Sequence, residues 1–254
     1  MKISICSDAL FMGKDYVTSM RELAQKGYQD IEFWTWWDKD LSALEELKNT
    51  EGVNFVAMCT KFVSLVDESQ HNDYLVGLKE SIEVAKRLGC KTLISQVGDE
   101  LPGVCRDTQQ KALIAGLKKA AEVLKGTDIT LVFEPLNTRV DHKGYFLWDM
   151  DEAYEMVDAV GSEHVKVLFD IYHQQIMQGD LLRRIEKNIS KIGHFHVAGN
   201  PGRNEPFLGE INYKEIACAI DGYGYNGYAG LEYFPTMDEF KGLKECREIF
   251  GVDQ

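Results

Sequence analysis

The sequence predicts a closed (β/α)8 barrel, and three observations carry that expectation. Eight short β-type runs alternate with amphipathic helical stretches. Spread over 254 residues, this gives about 32 residues per unit, which suits a barrel better than an open doubly wound sheet. The turn after the first run, Ser7-Asp8-Ala9-Leu10, also lacks the GxGxxG or GKS/T phosphate turn common in open sheets.

The candidate strands are Lys2–Cys6, Asp30–Phe33, Asn54–Met58, Thr92–Ser95, Ile129–Glu134, Val165–Asp170, Ile192–Val197 and Ala229–Tyr233. Each is short, mostly apolar and rich in β-branched or aromatic residues, as a strand covered by helices should be. About eight helices are expected between them. Ser69–Leu88 repeats apolar residues at Leu75, Leu78, Ile82 and Ala85, then stops at Gly89. Thr108–Lys125 gathers Ala112, Leu113, Ala120, Val123 and Leu124 on one side; Trp148–Val160 stops at Gly161, and Glu239–Phe250 stops at Gly251. No Pro/Ser-rich linker or low-complexity segment interrupts the chain, so residues 1–254 read as one barrel domain.

The net charge of −13 repels phosphate backbones and argues against a nucleic-acid partner. It leaves room for a small-molecule substrate and a divalent cation. The apolar runs are strand-sized, far short of the ~20 residues that span a bilayer, so no membrane partner is expected. The N-terminal residues read as a strand rather than a signal segment. The six cysteines show no CxxC spacing and read as reduced thiols of a cytoplasmic protein. The sequence leaves the oligomeric state open, a homo-oligomer included.

Reactive groups of a barrel project from the carboxyl ends of its strands. Glu134, Asp170, His196 and Glu232 occupy matching places on four consecutive strands, separated by 36, 26 and 36 residues. Three carboxylates and an imidazole converging there repel one another unless a cation lies among them. Oxygen-rich ligation with one imidazole suits Mn²⁺ or Mg²⁺ best, with Co²⁺ and Zn²⁺ as alternatives. His173, three residues after Asp170, brings a second imidazole to the same rim. His194 shares a face with His196 one step below and reads as a buried, hydrogen-bonded neighbour. Trp34 and Phe11 fall at strand ends on this rim; Trp34 reads either as packing or as the wall of a sugar-sized site. Arg203, in the Gly/Pro-shaped loop Gly199–Pro206, reads either as a solvated side chain or as a contact to a substrate oxygen.

Several segments resemble the hydroxypyruvate isomerase family. They are Glu134-Pro135-Leu136-Asn137-Thr138, Gly144-Tyr145-Phe146-Leu147, Phe169-Asp170-Ile171-Tyr172-His173-Gln174-Gln175, His194-Phe195-His196-Val197-Ala198, Asn200-Pro201-Gly202-Arg203, Gly209-Glu210-Ile211-Asn212-Tyr213 and Gly230-Leu231-Glu232-Tyr233. That family belongs to the xylose-isomerase-like TIM barrels, together with the ketose 3-epimerases and endonuclease IV. The resemblance implies one divalent metal ion per chain, held by Glu134, Asp170, His196 and Glu232, with Glu134 and Glu232 also serving as the acid/base pair. It places His173 and Arg203 at substrate-contacting positions.

The implied chemistry is isomerisation of a sugar or hydroxy-oxo acid through an enediolate, with hydroxypyruvate the foremost substrate. A ketose 3-epimerase acting on free sugars is the alternative, because the outcome depends on where the proton returns. An endonuclease-IV-like phosphodiesterase is remote: the third and fourth strands end at Met58-Cys59-Thr60 and Ser95-Gln96, with no histidine. A non-catalytic sugar-binding barrel would have no need of a glutamate on each side.

Overall fold

The computed structural model describes residues 1–251; the last three residues of the expected 1–254 domain lie outside them. Eight parallel strands form a closed barrel in chain order: β1 (Lys2–Cys6), β2 (Asp30–Phe33), β3 (Asn54–Cys59), β4 (Thr92–Ser95), β5 (Thr130–Phe133), β6 (Val165–Asp170), β7 (Ile192–Val197) and β8 (Tyr228–Leu231). Pairing of β8 with β1, with Lys2 opposite Tyr228 and Ile5 opposite Leu231, closes the ring. Around it run α1 (Ser7–Leu10), α2 (Tyr16–Gln25), α3 (Leu41–Thr50), α4 (His71–Leu88), α5 (Arg106–Leu124), α6 (Met150–Val160), α7 (Ile171–Met177), α8 (Leu181–Asn188), α9 (Tyr213–Gly222) and α10 (Glu239–Phe250).

Strand positions match the sequence expectation within two residues at either end. The expected ends at Glu134 and Tyr233 move back to Phe133 and Leu231. Glu134 and Glu232 still join the neighbouring ladder through their backbone, Glu134 N donating to Ser95 O and Glu232 N to Val197 O, both at 3.1 Å. They are therefore held like strand residues while their side chains stand at the rim. There are ten helices rather than about eight among the described residues. The turn after β1 tightens into α1, and the stretch after β6 is cut in two. The cut falls at Gly179 and Asp180, two successive left-handed residues with φ of 62° and 51°.

Local chemistry sets the helix ends. Asp40 accepts from Ser42 N and Ala43 N at the start of α3, Asp149 from Asp151 N and Glu152 N at α6, and Asp238 from Lys241 N at α10. Gly89 and Gly161 close α4 and α6 in the left-handed conformation that a side chain would strain.

Alternation along each strand then sorts the side chains. Phe133, Phe169, Phe195 and Leu231 face outward and are buried under helices. Val56, Ala57, Cys59, Ile94, Val132 and Leu168 form a separate apolar plug inside the barrel. With a period of two, the residue above each interior position also faces inward. Val132 is followed by Glu134, Leu168 by Asp170, His194 by His196, and Glu32 by Trp34. One layer packs the barrel and the next furnishes its mouth.

Candidate active site

Glu134, Asp170, His196 and Glu232 each offer one ligand atom, and these atoms all lie within 4.8 Å of one another. His196 Nδ1 stands 3.3 Å from Glu232 Oε2 and 3.6 Å from Glu134 Oε1. All four side chains are buried. Glu134 Oε1 and His196 Nδ1 have no hydrogen-bond partner in the protein. Buried polar atoms are normally satisfied. Two unpartnered atoms within a convergence of three carboxylates and one imidazole fit a divalent cation.

Electrostatics bind the cluster tightly. Burial alone would raise the Glu232 carboxyl, but His196 and Arg203 outweigh it and hold it well below the ordinary range. At Asp170 burial prevails over Arg203 and His196, and the carboxyl is raised. His196 would be lowered by burial, yet Glu232 and Glu32 push it well above the usual imidazole value.

Of the remaining rim residues predicted from sequence, Trp34, His173 and Arg203 reach this site and Phe11 does not. Trp34 Nε1 donates to Glu232 Oε1 at 2.5 Å. Arg203 is no solvated loop residue: its side chain is 13% exposed, donates to Glu232 Oε2 and comes within 3.9 Å of Asp170 Oδ2. Its backbone sits at φ 55°, a conformation that costs a non-glycine residue about 1 kcal/mol or more. Phe234 N donating to Arg203 O at 2.8 Å ties this loop to the segment after β8.

The orientation of His173 follows from Asn137. Asn137 Oδ1 accepts from Val140 N and Asp141 N, both at 3.0 Å, so its amide NH2 faces the other way. That NH2 donates to His173 Nδ1 and to Asp141 Oδ2, both at 2.6 Å. The His173 proton therefore resides on Nε2, which makes no hydrogen bond and lies 3.4 Å from Asp170 Oδ2, on a ring that lines the cavity. Burial and the nearby Arg203 hold its pKa down at about 3, so the ring is neutral.

Above the cluster lies a cavity of about 250 Å³. Trp34, Phe62, Ile94 and Leu136 form its apolar side, and Glu134, His173, His196, Arg203 and Glu232 its polar side. A larger groove of about 590 Å³ beside α10, bordered by Tyr28 and Phe240, contains none of these groups. Phe11 packs against Phe240 with ring centroids 5.8 Å apart and takes no part in the cavity lining. Trp36 donates to Ser81 Oγ at 3.1 Å, and Trp37 packs edge-on against Phe62.

Sequence reasoning missed three participants. Glu32, within β2, sits one layer below the mouth against His194 and His196. Its chemical signal is a carboxylate at an inward strand position; its histidine partners are more than 160 residues away. Gly230 makes room for it: a Cβ there would lie 1.8 Å from Glu32 Oε1 and 2.8 Å from His196 Cδ2. Glu205, fully buried, accepts from Thr236 N at 2.8 Å and Thr236 Oγ1 at 2.9 Å and anchors the loop that carries Arg203.

The model of the xylose isomerase-like TIM barrel family matches residues 20–248. Hydroxypyruvate isomerase of Escherichia coli strain K12 is 31% identical over 255 residues, covering 96% of this chain and 97% of that protein. The 2-oxo-tetronate isomerase of Cupriavidus necator is 39% identical over 147 residues, 58% of this chain and 55% of that one. Among solved structures, a protein described as AP endonuclease, family 2, from Brucella melitensis superposes with a TM-score of 0.92 at 28% identity, covering 98% of this chain and 99% of that one. Matched over nearly its whole length by the family model and by the Escherichia coli isomerase, the chain belongs to the xylose isomerase-like TIM barrel family and is an isomerase.

Proposed function

We propose that the protein is a metal-dependent isomerase of small hydroxy-oxo acids, hydroxypyruvate foremost, working through an enediolate. The observation that carries this reading is the convergence of Glu134 and Glu232 on His196 Nδ1, at 3.6 and 3.3 Å, under a cavity of small-molecule size. Glu134, Asp170, His196 and Glu232 would hold one divalent ion, Mn²⁺ or Mg²⁺ on the oxygen majority. When bound, the ion supplies Lewis-acid polarisation of the substrate carbonyl.

The chain's own residues supply the proton transfers and the positioning. One glutamate takes the proton from the hydroxymethyl carbon, and the C–H electron pair moves into the carbon framework to give the enediolate. A proton returned to the neighbouring carbon, with the hydroxyl proton passing between the two oxygens, yields the aldehyde isomer. His173 Nε2–H donates to a substrate oxygen, and Arg203 offers a charged donor to the carboxylate end. Trp34 and Phe62 line the apolar flank.

A second reading, 3-epimerisation of a free ketose, is favoured by the same pair of glutamates: one would remove a proton from one face of the substrate and the other return it to the opposite face. Phosphodiester chemistry, suggested by the description of the Brucella protein, finds less support. The rim positions after β3 and β4 are Thr60 and Gln96, and the chain carries a net charge of −13. Among the described residues no helix is long and apolar enough to cross a membrane.

The test is incubation in D₂O with Mn²⁺ or Mg²⁺ of hydroxypyruvate, four-carbon oxo acids and C4–C6 ketoses, with mass spectrometry of each. Deuterium at carbon in hydroxypyruvate, with aldehyde product, is expected. Deuterium confined to a ketose would select the epimerase. No incorporation into any substrate would overturn proton-transfer chemistry.

A further inference from the structure

Glu32 enters the barrel interior from β2 and is 2% exposed. A carboxylate at that depth is costly unless it is paired. Its Oε2 accepts from His194 Nε2 at 2.8 Å and from Ser4 Oγ at 3.3 Å. Its Oε1 has no hydrogen bond and lies 3.2 Å from His196 Nε2, which has none either. The other nitrogen of the same ring, His196 Nδ1, looks up at Glu134 and Glu232. The imidazole is thus suspended between one carboxylate below and the cluster above. A ring nitrogen binds a cation only with its lone pair free, and the group facing the other nitrogen decides where the proton stays.

We infer that Glu32 is a positioning residue: its Oε1 faces the Nε2–H of His196, keeps the proton on that nitrogen and so presents the Nδ1 lone pair to the space between Glu134, Asp170 and Glu232. This rests on the metal-centre reading above. His194 completes the device from the side. Its Nε2 hydrogen bond occupies Glu32 Oε2 and leaves Oε1 for His196, and the two rings meet edge to face at 82°. Glu32, His194 and His196 could together hold a cation of their own, since their ligand atoms also lie within 4.8 Å of one another. Such an ion would have to break the 2.8 Å hydrogen bond between Glu32 and His194.

The experiment measures Mn²⁺ binding by calorimetry to wild-type protein and to Glu32→Gln, each checked for native circular dichroism, and records histidine ¹⁵N–¹H spectra of Zn²⁺-loaded wild-type protein. Glutamine preserves the volume but turns an N–H toward one of the imidazole N–H groups. One Mn²⁺ per wild-type chain, binding weakened about 10–100-fold in Glu32→Gln, and a His196 proton on Nε2 are expected. A Glu32 that only fills the core would lower thermal stability in the variant while leaving Mn²⁺ affinity unchanged; that result overturns the inference and spares the metal centre. A His196 proton on Nδ1 in the Zn²⁺-loaded wild type overturns it even if the variant does not fold. Two ions per wild-type chain also overturn it. If the wild type binds no Mn²⁺, the metal centre itself falls, and the role of Glu32 falls with it.

Discussion

Trp34 and Glu232, 198 residues apart, meet at the barrel mouth through a 2.5 Å hydrogen bond from the indole Nε1 to Oε1. Arg203 occupies the other carboxylate oxygen. Both oxygens of one proposed base are therefore charged or dipole-stabilised before substrate arrives, which keeps Glu232 ionised in a buried site.

Trp34→Phe keeps the apolar wall and removes the donor. A hydrogen bond to a charged group contributes about 1.5–3 kcal/mol. We expect kcat/KM to fall roughly 10-fold or more, and the acid limb of its pH profile to move to higher pH, because the Glu232 carboxylate loses a stabilising contact. An acid limb that stays in place would show that Trp34 only packs.

Glu134→Gln and Glu232→Gln each retain an oxygen that can bind a cation and lose the ability to accept a proton. Assayed at saturating Mn²⁺, each should lose about 10²–10⁴-fold in turnover. Exchange of solvent deuterium into substrate, without product, in one variant alone would assign that variant's remaining glutamate to proton abstraction. Near-normal turnover in either variant would leave that residue a ligand and nothing more.

Arg203→Ala should lower kcat/KM by one to two orders of magnitude on a carboxylate-bearing substrate, the loss expected for a charge-assisted contact of about 1.5–3 kcal/mol. Mn²⁺ affinity should be maintained or improved, since Glu232 is released from its competing cation. Steady-state kinetics beside calorimetry separate the two effects. A large loss of Mn²⁺ affinity would instead make Arg203 part of the framework.

His196 makes the metal-free protein sensitive to pH. Its folded-state pKa lies well above 6.5, because Glu232 and Glu32 outweigh the effect of burial. A raised imidazole stabilises the fold fully below the unfolded-state value of about 6.5 and ceases to do so as pH climbs through the folded-state value. With EDTA present, Tm should decline as pH rises above that point. With Mn²⁺ the trend should reverse, because the ion takes the lone pair and the proton leaves. Calorimetry in buffers of different ionisation heat should register that proton. A flat metal-free Tm over the range would exclude a protonated His196.

Much of this molecule is legible in its sequence, for a physical reason. Strands covered by helices must be short and apolar, so Lys2–Cys6, Val165–Asp170 and Ile192–Val197 appear with the ends observed. Polar residues closing such runs stand out, which is how Glu134, Asp170, His196 and Glu232 are found. Glu32 does not stand out, because Asp30-Ile31-Glu32-Phe33 alternates like any half-buried strand and only closure of the barrel brings His194 to it. Arg203 was ambiguous for a related reason: a loop arginine is usually solvated, and only contact with Glu232, 29 residues on, buries it. The seven residues of α7 are too few to set up a helical period of their own before the break at Gly179-Asp180.

The missing side chain at Gly230 ties two positions of the chain to a common history. A single added carbon there would stand 1.8 Å from Glu32 Oε1, closer than any two such atoms can remain. A side chain at 230 therefore requires either a shortening at 32 or a swing of the Glu32 carboxylate, and a swing would draw Oε1 away from His196 Nε2. In related barrels the two positions should vary as a pair, and a lineage that abandons the glycine should also have found another way to orient its mouth imidazole.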